Sequence, residues 1–174
     1  AFGQSPAGED TKVTWTLGDE DDIDSFNPFV AVASGYTIFA MTYENLTTYD
    51  RETLERVPGI AESWETSEDG LTWTFHIRDG VTWQDGEPLT ANDVEYTYNR
   101  VIEDHEGCCF SYLRLVESVT APDDSTLVIT TTKPTPQMLA IVIPILPEHI
   151  WSGISKDDAK TYEMLSRGET LGVF

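Results

Sequence analysis

The 174-residue sequence holds many side chains that could do chemistry and few arrangements that would. Its 31 carboxylates are spread along the whole length. Any fold would bring several of them together, so position alone cannot single out the paired acid and base of a glycosidase. The three histidines, His76, His105 and His149, have no metal-ligand spacing. The two cysteines, Cys108 and Cys109, are adjacent. Such neighbours can bridge only through a strained eight-membered ring, and no second cysteine pair is present to complete a metal site. Residues 19–24 are acid-rich but lack the central glycine of a calcium loop, and read as solvated loop. No G-x-S-x-G, phosphate loop or G-x-G-x-x-G occurs. Asn45-Leu46-Thr47 matches the glycosylation sequon, a pattern that recurs by chance. The expectation is no catalytic residue, no metal and no cofactor.

Aromatic residues are more suggestive. Trp73, Phe75 and Trp83 fall in alternating patterns and read as core. Phe110 and Tyr112 sit instead in a loop after a helix, beside Cys109 and Ser111. Loop aromatics among polar neighbours line a ligand cleft or cap the core, and the sequence leaves both open.

The elements that would position these residues follow from periodicity. Residues 12–17 alternate as a strand, and 35–46 read as a short buried helix with Ile38, Met41 and Asn45 on one face. Residues 47–57 read as a strand pair around Asp50-Arg51-Glu52. Alternation over 63–83, broken by Asp-Gly pairs at 69–70, 79–80 and 85–86, predicts a meander of short antiparallel strands with one apolar face. His76 then falls on the opposite, exposed face. Thr90 caps a helix with Asp93 at the capping-box position, and Val94, Tyr98, Val101 and Ile102 form its buried stripe. Gly107 ends that helical region. Strands are expected over 115–120 and 126–132, with a turn at 122–125. A buried helix is expected over 137–143, a new element at 147–151 and an exposed helix over 156–167. Residues 1–11 read as a flexible leader.

Composition narrows the function classes. The chain is 40% hydrophobic, enough for a core. Its net charge of −21 argues against nucleic acid and anionic lipid, since neither meets a basic face. High-salt habitat or plain solubility accounts for such a charge. The longest apolar run, 139–146, contains Pro144 and falls short of the ~20 residues of a membrane span.

Residues 58–100 resemble a known family. Pro58-Gly59-Ile60-Ala61-Glu62-Ser63-Trp64-Glu65 is similar to its P-x-L-A-E-S-W-E segment. Residues 67–78 (SEDGLTWTFHIR) resemble S-x-D-G-x-T-Y-T-F-H-L-R, and 80–94 (GVTWQDGEPLTANDV) resemble G-V-K-F-H-D-G-x-P-L-T-A-x-D-V. Residues 23–29, with Phe26-Asn27 in place of the usual Leu-Asp, resemble an early L-D-P loop, and 121–128 and 146–151 also match. The family is the extracellular solute-binding family 5 of ABC importers.

The resemblance implies an α/β, type II periplasmic-binding-protein-like fragment with a mixed or antiparallel sheet and packed helices. It implies a non-enzymatic importer subunit that captures a peptide, is exported to the periplasm or cell exterior, is lipid-anchored when full-length, and hands solute to ABC permease subunits. A monomer is expected. Members are about three times this long, so the chain reads as an N-terminal part. It would hold a leader (1–11), the first strand and loop of lobe one (12–34), a small accessory αβ domain (35–143) and a return segment (144–174). The motif residues Trp64, Trp73, Phe75 and Val81 read as structural. Ligand contacts would come from the loops after the first strand and after the Thr90 helix. These give Val32, Ala33, Ser34, Tyr36, Phe110 and Tyr112. The alternatives are a non-peptide solute such as an oligosaccharide or chelated metal, an acidic hydrolase, and an interaction module.

Overall fold

The structure, a computed structural model, describes residue 27 and residues 42–50, 52–104 and 110–162. The expected strand at 12–17, the acidic loop, the leader, Gly107, Cys108 and Cys109 lie outside the described residues. So do residues 35–41 of the first expected helix. Of its remainder, Thr42 is helical and residues 43–46 are not.

Strands β1 (Thr47–Tyr49) and β2 (Arg56–Pro58) form the expected antiparallel hairpin, pairing Thr47 with Pro58 and Tyr49 with Arg56. The Asp50 carboxylate accepts the amides of Glu52 at 2.9 Å and Thr53 at 2.8 Å, which closes the turn. The Arg56 guanidinium lies 3.4 Å over the Tyr49 ring.

Four strands make the main sheet: β3 (Ala61–Thr66), β4 (Thr72–Ile77), β5 (Val116–Asp123) and β6 (Thr126–Thr131). The order is β3-β4-β6-β5, antiparallel throughout. Gly70, with φ of +71°, makes the β3–β4 turn. Alternation puts Trp73, Phe75 and Ile77 inward. Trp73 pairs with Ile129, and Ile129 with Val119, giving a buried cross-strand row. Phe75, Leu127 and Ile129 are fully buried, each contributing about 1.5–3 kcal/mol.

Helix α1 (Ala91–Asp104) covers this face. Its capping box forms as expected: the Thr90 amide donates to Asp93 Oδ2 at 2.9 Å, and the Asn92 amide donates to Thr90 Oγ1 at 3.2 Å. Val94, Tyr98 and Val101 are buried, and Ile102 packs on the same core.

Three expectations are corrected. Residues 81–83 do not extend the meander: Thr82 bridges Pro88 in a separate small loop, and β6 takes the place beside β4. The Trp83 amide donates to the Glu87 carbonyl, and the side chain still reaches the core. The helix expected over 137–143 is 3₁₀ rather than α and stops at Ala140. A 3₁₀ turn, Pro136–Ala140, gives way to extended chain with Ile141, Ile143 and Ile145 buried and Val142 exposed. Pro144 disfavours helical geometry at Ile143, and the β-branched run favours extension. The expected turn at 122–125 narrows to Asp124-Ser125, because β5 continues through Pro122. β5 is an edge strand with a register shift there, where proline is tolerated.

Helix α2 (Glu148–Trp151) starts the element expected at 147–151. Helix α3 (Lys156–Ala159) is shorter than the run expected from 156, and residues 163–167 lie outside the described residues. Leu146, Trp151 and Ala159 form a second small core with Tyr96, Ile150, Ile154 and Tyr162.

Candidate functional site

Among the ligand candidates, Val32, Ala33, Ser34 and Tyr36 lie outside the described residues. Phe110 and Tyr112 share the 3₁₀ turn Phe110–Leu113, which follows α1 in the chain. Leu113 is buried and anchors the turn. Phe110 is partly buried and packs on the main core, whereas Tyr112 is 51% exposed. The structure therefore separates the pair. Phe110 supports the turn, and Tyr112 offers a ring and a hydroxyl to whatever approaches.

A second set of polar residues is drawn together that the sequence did not single out as a set. Asp93, Thr97, Arg100 and Asp104 lie on one stripe of α1 at helical spacing, and each bonds the chain between 146 and 156. Asp93 Oδ1 accepts the Glu148 amide at 2.9 Å. Thr97 Oγ1 accepts the Leu146 amide at 2.9 Å and donates to the Asp93 carbonyl at 2.7 Å. Arg100 Nη1 donates to the Trp151 carbonyl at 2.9 Å and to the Tyr96 hydroxyl at 2.6 Å, while its Nε reaches Asp104 at 3.3 Å. The Lys156 ammonium donates to the Asp104 carbonyl. The sequence signal was present: these positions repeat with the same period as the apolar stripe.

Electrostatics follow burial and partners. Burial pushes the Asp93 carboxyl up, against the opposing bonds from the Thr90 and Glu148 amides. Burial also raises Tyr96, opposed by Arg100. Asp85 lies below the usual range: burial would raise it, but the hydrogen bond from His149 and the Glu87 amide win. The Asp85–His149 contact is 2.7 Å and joins the 85–86 turn to α2.

A groove of about 460 Å³ runs beside this stripe, lined by Tyr96, Arg100, Glu103, Asp104, Glu148 and Lys156. Its two cations are already bonded inside the protein, so an anionic solute would have to displace those bonds. Among the described residues, no three His, Cys, Asp or Glu side chains gather to hold a metal ion. No helix among them is long and apolar enough to cross a membrane. The polar stripe is machinery for holding shape. Of the two described candidates, Tyr112 is the more exposed and Phe110 is partly buried.

Residues 55–168 match the model of the bacterial extracellular solute-binding proteins, family 5, middle segment. The chain belongs to this family. The dipeptide-binding protein of Escherichia coli (strain K12) is 33% identical over 142 residues, covering 70% of this chain and 26% of that protein. The oligopeptide-binding protein AppA from Bacillus subtilis, solved with a nonapeptide, superposes with a TM-score of 0.72 at 26% identity. That match covers 83% of this chain and 29% of AppA. NikZ from Campylobacter jejuni, solved with Ni(L-His), gives 0.71 at 26% identity over 84% of this chain and 29% of NikZ. The chain spans about a quarter of the length of the curated relatives it matches. The fold is thus the type II periplasmic-binding-protein-like α/β architecture that the motifs implied, with antiparallel sheets and packed helices. In this family 5 chain the motif residues Trp73 and Phe75 are buried, and Trp64 and Val81 pack on the same core.

Proposed function

We propose that the protein containing this chain is the solute-binding component of an ABC-type importer, capturing an extracellular peptide and delivering it to membrane permease subunits. The observation that carries this is the family 5 match over residues 55–168. The likeness to a nonapeptide-bound structure supports peptide as the solute. In this reading the protein catalyses nothing, is monomeric and works in the periplasm or outside the cell, lipid-anchored. Residues 12–34 form the first strand and loop of lobe one, residues 35–143 its accessory domain, and 144–174 a segment returning toward lobe one. The loops carrying Val32–Tyr36 and Phe110–Tyr112 supply one wall of the cleft. Peptide recognition through backbone groups needs few special side chains, which agrees with the absence of motif chemistry in the sequence. Closure of a second lobe over the solute would supply the other wall.

A second reading, a chelated metal as solute, is supported by the comparable likeness to a Ni(L-His)-bound structure. Thermal melting of the full-length protein with a dipeptide, a nonapeptide and nickel-histidine separates the two. A rise with peptide alone supports the first reading and a rise with nickel-histidine alone overturns it. The present chain, offering only part of a cleft, is expected to bind peptide weakly. Micromolar binding by this chain in isothermal titration contradicts that expectation.

A further inference from the structure

Asn27 is 5% exposed, and its side chain reaches a part of the chain 132 residues away. Its amide nitrogen donates to two carbonyls, Ala159 at 2.5 Å and Tyr162 at 3.1 Å. Ala159 is the last residue of α3, where carbonyls have no partner within the helix. A four-residue helix is not stable on its own and depends on what covers its end. Tyr162 in turn packs on Trp151, with ring centroids 5.3 Å apart, inside the small core that includes Ala159. Asn27 lies ahead of the family 5 match, and both of its acceptors lie within it.

We propose that Asn27 is a positioning residue: its amide caps the end of α3 and fastens the chain ahead of the family segment to residues 159–162. The role depends on a donor. An aspartate, which the resembling L-D-P motif carries, accepts only and would set a carboxylate against two carbonyl oxygens. A serine keeps one donor and can serve one carbonyl at most. The inference holds whichever solute the protein carries.

Hydrogen exchange of the whole chain tests it, comparing wild type with Asn27→Asp and Asn27→Ser at neutral pH. The amides of Ala159, Thr161 and Tyr162, all bonded within this segment, report on α3. Strands β4 and β6 report on the sheet. The expected result is at least a tenfold acceleration of the α3 amides in Asn27→Asp, a smaller one in Asn27→Ser, and no change in β4 and β6. Unchanged α3 amides would overturn the proposal. So would equal acceleration of the sheet, or loss of folding by both variants, since Asn27 would then support the fold as a whole.

Discussion

Helix α1 meets two neighbours with two different chemistries. Toward the sheet it presents Val94, Tyr98 and Val101, all buried against strands of the main core. Toward residues 146–156 it presents Asp93, Thr97, Arg100 and Asp104, each joined to that segment by a hydrogen bond. The apolar contact is non-directional, so it sets how firmly the helix sits but tolerates sliding. The polar contact is directional and partly buried, so it sets register: a shift by one turn would leave the Leu146 and Glu148 amides without acceptors. The helix is glued on one side and indexed on the other.

Removing the glue should have the largest effect. Tyr98→Ala opens a cavity between α1 and the sheet and should cost about 3–5 kcal/mol, read by urea unfolding. Because the sheet and α1 share one core, the expected loss is a single shifted transition. Two resolved transitions would mean that residues 146–162 unfold separately, and the two-sided picture of α1 would need redrawing.

Indexing should cost less per residue. Asp93→Ala removes the acceptor for two amides, Thr90 and Glu148, and should destabilise by about 2–4 kcal/mol. Thr97→Val keeps shape but strands the Leu146 amide, for about 1–3 kcal/mol. Hydrogen exchange sharpens the contrast. Thr97→Val should accelerate the Leu146 amide more than Ile129 in β6. If both accelerate equally, the stripe contributes stability without fixing register.

The same contrast explains what could be read from the sequence. The capping box at Thr90 and Asp93, the glycine turn at Gly70 and the alternation through Trp73 and Phe75 are local signals, and the structure bears them out. The place of β6 between β4 and β5 is a long-range pairing that no local pattern encodes. Residues 137–143 misled because an apolar run reads alike as helix or extended strand, and Pro144 decided the matter. For Phe110 and Tyr112, position in the chain does not say which aromatic turns outward. Leu113 settles that by anchoring the turn in the core, leaving Tyr112 exposed. The indexing stripe was missed because a polar side chain at helical spacing usually faces water.

The smallest expected effect is a difference in sign between two kinds of aspartate. Asp50, Asp69 and Asp123 sit at exposed turns, and hydrogen bonds hold each below its ordinary value. The leading bond comes from the Thr53 amide, the Ser67 hydroxyl and the Ser125 hydroxyl respectively. A lowered carboxyl favours the fold while ionised, so this stability is present above the unfolded value, near pH 4, and is lost as pH falls through the native one. Asp93 is raised by burial, so its protonated form fits the fold better than its charged form does. Its contribution weakens as pH rises from the unfolded value through the native one, and recovers on acidification. Urea unfolding between pH 7 and pH 3.5 should therefore show opposite trends. The stability gap between wild type and Asp69→Asn should narrow as pH falls, and the gap for Asp93→Asn should widen. If the Asp93 gap narrows too, its bonds to the Thr90 and Glu148 amides outweigh burial, and the indexing face of α1 behaves electrostatically like a surface turn.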